Sequence, residues 1–260
     1  MSKQSASAES TLLMAKYIQC KHVLKKLEKI ASEIGCDILV LKGFAMNSIF
    51  YGDTEKRNFF DLDIFVEKSF QLEFLDKCIR IGKLLEKSEN VGFFHNYYEK
   101  TVVIDNFPVD IHFRLCNPNI LELNDEMMLN ASIPVEFFKS GKIRFLNLED
   151  TLIHLASHII NDGFLNHYSV VDICKVLNKF SINKQELLIR CKILGAKKIY
   201  KFLISLIQDI KGEKPYKPFY LTKNRSKNYF IRHRNKLFAS IYFRGIARSS
   251  VTVIRSIIKC

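Results

Sequence analysis

Three aspartates at two places in the chain have the type and spacing of a metal site. Asp61 and Asp63 are one residue apart in the apolar run DLDIFV, and Asp110 lies in the similar run PVDIHF. Because side chains alternate across a strand, Asp61 and Asp63 share one face, and Leu62, Ile64 and Val66 face the core. If the two runs are neighbouring strands, the three carboxylates converge.

Clustered carboxylates repel one another unless a cation neutralises them. Hard oxygen ligands on a rigid sheet suit Mg²⁺ bound together with substrate phosphates. Two such ions about 3.5–4 Å apart are the usual arrangement for in-line phosphoryl or nucleotidyl transfer. The alternative is that the two aspartates of DLD lie on a solvated strand face and bind nothing.

Four further polar side chains could take part in chemistry. His112 and Arg114 share the face of Asp110 in VDIHFRL, so they could face a substrate, although a strand histidine is often only hydrogen-bonded. His154 and His158 have the i, i+4 spacing of zinc ligands on a helix. The residue after His154 is leucine rather than the glutamate of HExxH, and no third ligand is evident, which favours a structural or substrate-facing role.

The secondary structure predicted around these residues differs between the two halves of the chain. Residues 11–35 have helical periodicity, and CDILVLKG is a short β-prone run followed by the short helix FAMNSIFYG. DLDIFVE is a strand, SFQLEFLDKCIRIGKLLEK a helix, and KTVVIDNFPVDIHFRL a hairpin that turns at Asp105-Asn106. After residue 146 only helical periodicity is found.

This pattern predicts an α/β or α+β fold, with a small mixed-sheet domain at residues 1–146 and a helical part at residues 147–210. A basic linker and an amphipathic C-terminal helix are predicted for residues 211–260. These residues contain 13 lysines or arginines and one acid, Glu213, which is +12 of the total net charge of +13. Such a segment favours nucleic acid or an anionic membrane, or is simply a solvated basic surface.

Several protein classes are excluded by composition. No apolar run approaches the ~20 residues that a membrane span needs, and the polar start MSKQSASAES lacks the apolar core of a signal peptide. Seven scattered cysteines are typical of reduced thiols rather than of a disulfide framework. We therefore expect a cytoplasmic protein without a transmembrane segment.

The motifs LVLKG, Arg57, DLDIFV and VDIHFRL occur in order and are followed by EDTLIHLASHII and VVDICKVL. In these motifs the sequence resembles the uncharacterised nucleotidyltransferase family of the polymerase-beta-like superfamily, over roughly residues 20–180. The resemblance implies an enzyme that moves a nucleoside monophosphate from an NTP to an acceptor hydroxyl with Mg²⁺ or Mn²⁺. The acceptor is left open between a small molecule, a protein and an RNA end.

The resemblance also implies roles for particular residues. Asp61 and Asp63 would be metal ligands, and Asp110 would complete the metal site and assist deprotonation of the acceptor hydroxyl. The nucleotide phosphates would lie against Gly43, where a helix begins, and would contact Lys42 and Arg57.

The sequence departs from the wider superfamily pattern at one place. Phe44 stands where the superfamily has serine, and eighteen positions separate Gly43 from Asp61. Both features fit the narrower family. The missing serine favours a second hypothesis, in which an inactive nucleotidyltransferase fold acts as a binding module through its basic tail. The intact carboxylates favour the enzyme.

Overall fold

The computed structural model describes residues 3–51, 57–85, 99–116, 121–161 and 167–212. These residues form two compact units. The sheet unit contains the described residues up to Leu115 together with Asp125–Asn147, and the helical unit contains those in Cys116–Asn124 and from Leu148 onward. The linker and amphipathic helix predicted for the C-terminal tail lie outside the described residues from position 213 onward.

The sheet unit combines four helices with seven strands. In chain order its elements are α1 (Lys3–Ile34), β1 (Ile38–Val40), α2 (Lys42–Ile49), β2 (Leu62–Val66), α3 (Gln71–Ile81), β3 (Lys83–Leu85), β4 (Glu99–Ile104), β5 (Phe107–His112), α4 (Asp125–Asn130), β6 (Ile133–Pro134) and β7 (Ile143–Phe145). The strands form one mixed sheet in the order β3-β4-β5-β2-β1-β7-β6. Strands β2 and β5 are parallel neighbours, as are β1 and β7, whereas the other pairs are antiparallel. The predicted mixed α/β fold class is confirmed.

The hydrophobic core of the sheet unit contains one face of the sheet. Helix α1 contributes Cys20, Val23, Leu24 and Leu27, whose spacing of three and four residues forms one helical stripe. Helix α3 contributes Phe74 and Cys78, and the strands contribute alternate residues such as those on either side of the candidate aspartates: Leu62, Ile64, Val109 and Ile111. The aspartates therefore project from the opposite face.

The β4-β5 hairpin has the two-residue turn that the sequence predicts. Asp105 and Asn106 both have positive φ angles, 50° and 60°. Two successive residues of this kind are typical of a type I′ turn, in which Asp and Asn are favoured. Lys26 of α1 contacts both carboxylate oxygens of Asp105, at 2.8 and 2.6 Å.

One predicted helix is shorter than the sequence indicated. The helix predicted across SFQLEFLDKCIRIGKLLEK ends at Ile81, and Lys83–Leu85 instead forms strand β3 at the edge of the sheet. Gly82 explains the change of direction, because a Cβ atom there would lie 2.6 Å from the carbonyl oxygen of Val103. Only glycine allows the backbone to approach β4 so closely.

The helical unit contains four helices among the described residues: α5 (Leu148–Asn161), α6 (His167–Lys179), α7 (Lys184–Ile193) and α8 (Lys197–Gly212). Asn183 caps α7, since its side chain accepts hydrogen bonds from the backbone N–H groups of Gln185 and Glu186 at 3.0 and 3.4 Å. Within the described ranges, no helix has the length and apolar character that crossing a membrane requires.

Candidate nucleotidyl-transfer site

The pairing of β2 with β5 brings two of the candidate aspartates together. In this parallel pair Asp63 lies opposite Asp110. Paired residues of adjacent strands point to the same face of the sheet, and adjacent strands are about 4.8 Å apart. Strand β4 extends this face, because Thr101 lies opposite Asp110 and Glu99 lies opposite His112.

Asp63 is held by two basic side chains. Its Oδ1 atom accepts a hydrogen bond from the Lys42 ammonium at 3.0 Å and lies 2.9 Å from Nε2 of His112. The other ring nitrogen of His112, Nδ1, lies 3.7 Å from Oε2 of Glu99. Asp63 is only 8% exposed, so little water screens these contacts.

Asp61 belongs electrostatically to the same cluster. Burial, followed by the charges of Asp63 and Asp110, raises the pKa of the Asp61 carboxyl to about 6. The charges of Lys42 and Arg57 lower the same pKa in part. The cluster thus contains more negative charge than its basic neighbours offset.

The pKa of Asp110 is also raised by its surroundings. Burial raises the pKa of Asp110, and the charges of Asp63 and Glu99 add to that effect. The hydroxyl of Thr101 donates a hydrogen bond to Asp110 Oδ1, which favours the ionised form and orients the carboxylate.

Gly43 and Arg57 meet at the start of α2. A Cβ atom on Gly43 would lie 2.8 Å from Cβ of Phe59 and 3.3 Å from Nη1 of Arg57, so only glycine fits there. The side chain of Asn47 fixes the Arg57 backbone, since its amide donates to the Arg57 carbonyl and its oxygen accepts from the Arg57 N–H, both at 2.7 Å. Helix α2 thereby positions the predicted phosphate-binding arginine.

Phe44, at the position where the sequence resemblance led us to look for a serine, is a core residue. It is 1% exposed and its ring stacks on that of Tyr17 at a centroid distance of 4.9 Å. Its ring also contacts Phe59 edge-on at 6.5 Å. Phe44 therefore contributes to the packing of α1 against α2.

Comparison with known proteins identifies the family. A family model described as uncharacterised nucleotidyltransferase matches residues 7–212, which is 206 of the 260 residues. The chain belongs to this nucleotidyltransferase family. Membership confirms the resemblance seen in the sequence motifs and supports a transferase activity. No curated protein matches the sequence.

Solved structures of nucleotidyltransferases show a distant similarity to this family member. The solution structure of the antibiotic-resistance factor ANT(2″)-Ia is 10% identical, with a TM-score of 0.45 over 75% of this chain and 97% of that one. The crystal structure of ANT(2″)-Ia with adenylyl-2″-tobramycin is 13% identical, with a TM-score of 0.42 over 74% and 98% of the two chains. The CCA-adding enzyme of Thermotoga maritima, complexed with tRNA, is 14% identical, with a TM-score of 0.28 over 76% and 53%.

The remaining predicted residues of this nucleotidyltransferase lie in different surroundings. His112 is part of the carboxylate cluster, whereas Arg114 pairs with Asp125 at the start of α4, with Nη1 and Oδ2 3.2 Å apart. His154 and His158 lie on α5 of the helical unit, where their rings meet edge-to-face at a centroid distance of 5.7 Å. His154 is buried there.

The cluster fits a divalent cation by its donor chemistry. The carboxylates of Asp61, Asp63 and Asp110 offer oxygen ligands, which Mg²⁺ and Mn²⁺ prefer. Within the described ranges, however, no three His, Cys, Asp or Glu side chains are already arranged around a common metal position. In this arrangement Asp63 Oδ1 contacts Lys42 and His112.

Three residues of the site were not predicted from the sequence. Glu99 and Thr101 lie on the β4 strand of the cluster, and Asn47 fixes Arg57. The alternation in EKTVVI, which places Glu99 and Thr101 on one face and Val102 on the other, was the available signal. No comparable signal marks Asn47, because its contact depends on how the chain returns after α2.

Proposed function

We propose that this chain transfers a nucleoside monophosphate from an NTP to the hydroxyl of an acceptor, with Mg²⁺ or Mn²⁺ held by Asp61, Asp63 and Asp110. The single observation that supports the proposal is the register of β2 and β5. It joins the DLD run to the third aspartate on one sheet face, with Lys42 beside them. Family membership gives the reaction class.

The residues of the site have separate roles in the proposed reaction. Lys42 and Arg57 bind the triphosphate oxygens through charge-assisted hydrogen bonds. The bound metal would polarise the phosphate oxygens and offset the negative charge that develops on them. His112, whose other ring nitrogen lies near Glu99, holds Asp63 in position, and Thr101 does the same for Asp110.

In the transfer step the acceptor oxygen attacks the α-phosphorus, and the bond between the α-phosphorus and the oxygen leading to the β-phosphorus breaks. Pyrophosphate leaves, and the hydroxyl proton passes to Asp110. In its ionised form Asp110 can accept that proton, and the hydrogen bond from the Thr101 hydroxyl orients its carboxylate. The acceptor is a small molecule, a protein or an RNA end.

Thermal unfolding with Mg²⁺ and each NTP in turn tests this function. With ligand at about a hundred times its Kd, binding adds about 2.7 kcal/mol, which raises the melting temperature by about 5–10 °C for a chain of this size. Asp63→Asn should abolish the shift. The matched control is Asp76→Asn, which removes an exposed carboxylate paired with Arg80 and should leave the shift intact.

An unchanged shift in Asp63→Asn would remove Asp63 from the metal site. The acceptor is then sought by incubating the full chain with labelled NTP, Mg²⁺ and cell extract, and following label that becomes attached to another molecule. Label transfer that depends on Asp63 identifies the acceptor class.

The second candidate, an inactive binding module, is supported by the segregation of charge. Residues 211–260 carry +12, whereas residues 1–210 carry 27 basic and 26 acidic side chains, or +1. A basic segment of this kind suits nucleic acid or an anionic membrane. In that case label from NTP is transferred to no acceptor, either by the wild type or by the Asp63→Asn variant.

A further inference from the structure

Lys42 occupies an unusual position between the sheet and α2. Its backbone φ angle is +35°, a region that residues with a Cβ atom rarely adopt, and it is the first residue of α2. Its side chain is 13% exposed, and its ammonium contacts Asp63 Oδ1 at 3.0 Å. A strained backbone of this kind persists only where surrounding contacts hold it, and the ion pair to Asp63 is one of them.

The Lys42 ammonium group and a bound metal ion would both be attracted to the carboxylate of Asp63. Asp63 Oδ1 accepts the Lys42 contact and also lies 2.9 Å from His112 Nε2. A divalent cation bound by this carboxylate would meet the positive charge of Lys42 within a few ångströms, in surroundings where water screens little. The triphosphate of a nucleotide offers Lys42 another anion, and one that Lys42 can reach through its flexible stem.

We infer that Lys42 is an exchangeable counter-ion, which competes with the divalent cation for Asp63 and moves onto the triphosphate when metal and nucleotide bind together. This inference rests on the proposed function and deepens it. Metal alone binds weakly, and nucleotide strengthens metal binding because it draws the ammonium away from the carboxylate. By linkage, metal strengthens nucleotide binding by the same factor.

Two simpler roles for Lys42 make different predictions. If its ion pair only stabilised the fold, replacing it would weaken metal and nucleotide binding together or leave both unchanged. If Lys42 only bound phosphate, its replacement would weaken nucleotide binding and leave the affinity for metal alone unaltered. A counter-ion that competes with metal gives opposite changes, with tighter metal binding and weaker nucleotide binding.

The experiment measures Mn²⁺ binding to the full chain by electron paramagnetic resonance. It is done with and without an ATP analogue that has a methylene group between the α- and β-phosphorus. In Lys42→Met the Kd for Mn²⁺ alone should fall by about tenfold, because a unit positive charge next to the ligand is removed. The Kd of the analogue in the presence of Mn²⁺ should rise by a similar factor. The matched control is Lys26→Met, which removes a lysine that pairs with Asp105 at the hairpin turn and should change neither constant.

Two further measurements make the result independent of how well Lys42→Met folds. Lys42→Arg keeps the charge and should keep the weak binding of Mn²⁺ alone. In the wild type the analogue should tighten Mn²⁺ binding by about tenfold, a typical coupling between sites.

Equal or weaker binding of Mn²⁺ alone by Lys42→Met, or the lack of coupling in the wild type, overturns the inference while the proposed function stands. A wild-type chain that binds neither Mn²⁺ nor the analogue, separately or together, overturns both.

Discussion

The carboxylates in the two units of this nucleotidyltransferase have different charged neighbours. In the helical unit Asp150 is fully buried and receives two hydrogen bonds from Arg190, at 2.7 and 2.6 Å. The pKa of Arg190 is raised, chiefly by this contact. In the sheet unit Asp63 and Asp110 lie opposite each other on paired strands. Their charges, together with burial, raise the pKa of Asp61, and the pKa of Asp110 is also raised.

The difference separates a carboxylate that is paired with a guanidinium inside the fold from carboxylates that we propose bind a metal ion. A bidentate pair of one acid and one guanidinium is neutral and geometrically fixed, so it stabilises its own surroundings once formed. A cluster with excess negative charge costs folding free energy, and sites of this kind are commonly functional.

Replacing Arg190 by methionine should have the largest effect on stability. Met fills part of the same volume but leaves the buried carboxylate of Asp150 without its guanidinium. Removing one partner of a buried pair costs about 3 kcal/mol or more. Urea unfolding of the full chain measures the loss, and nucleotide binding per folded molecule should stay unchanged.

The control for Arg190→Met is Arg80→Met. Arg80 also pairs with an aspartate at 2.6 Å, but the side chains of both Arg80 and Asp76 are largely exposed. An exposed pair of this kind contributes about 0.5 kcal/mol or less. If the two variants lost the same stability, the buried pair of the helical unit would have no special role in folding.

Replacing Gly43 by alanine should have an intermediate effect and should act on both stability and binding. The new Cβ atom would lie 2.8 Å from Cβ of Phe59, so Phe59 and the neighbouring Arg57 must shift. Overpacking of this kind costs about 1–3 kcal/mol. Thermal unfolding and titration with nucleotide measure the two losses. Full nucleotide affinity in a destabilised variant would show that the position of Arg57 does not matter for binding.

The stretches around the candidate site show what local patterns can predict. The alternation in DLDIFV and PVDIHF was sufficient to assign Asp63 and Asp110 to one side of their strands and the apolar residues to the other. The pair Asp105-Asn106 was sufficient to predict the hairpin, since few residues other than Asn, Asp and Gly adopt two positive φ angles in succession. Both signals involve residues that are close in sequence.

The features that were missed depend on contacts between distant segments. The Lys42–Asp63 ion pair spans 21 positions, and neither residue type nor periodicity indicates it. Strand β7 pairs with β1 across more than a hundred positions, which a three-residue run cannot reveal. The end of α3 depends on how closely Gly82 approaches β4, and the helical periodicity of the sequence continued past that point.

The smallest effect is expected for Asp61→Asn, and it should depend on pH. The folded chain raises the pKa of Asp61 from the usual 3.8 to about 6. Between these two values the folded chain binds more protons than the unfolded chain, so the free energy of unfolding falls as pH rises from about 4 to about 6. Asparagine cannot ionise, so its variant does not show this fall in the free energy of unfolding.

Because Asp61 is partly exposed, solvent screening reduces the effect of this pKa shift on stability. The asparagine variant should therefore be more stable than the wild type at pH 7, by on the order of 1 kcal/mol, and equally stable near pH 4. Urea unfolding at pH 4, 5, 6 and 7 measures the difference. A difference that is the same at every pH would show that the change comes from packing and hydrogen bonding rather than from charge. A variant less stable than the wild type at pH 7 would mean that Lys42 and Arg57 already neutralise Asp61. The carboxylate cluster would then resemble the Asp150–Arg190 pair, and the contrast between the two units would disappear.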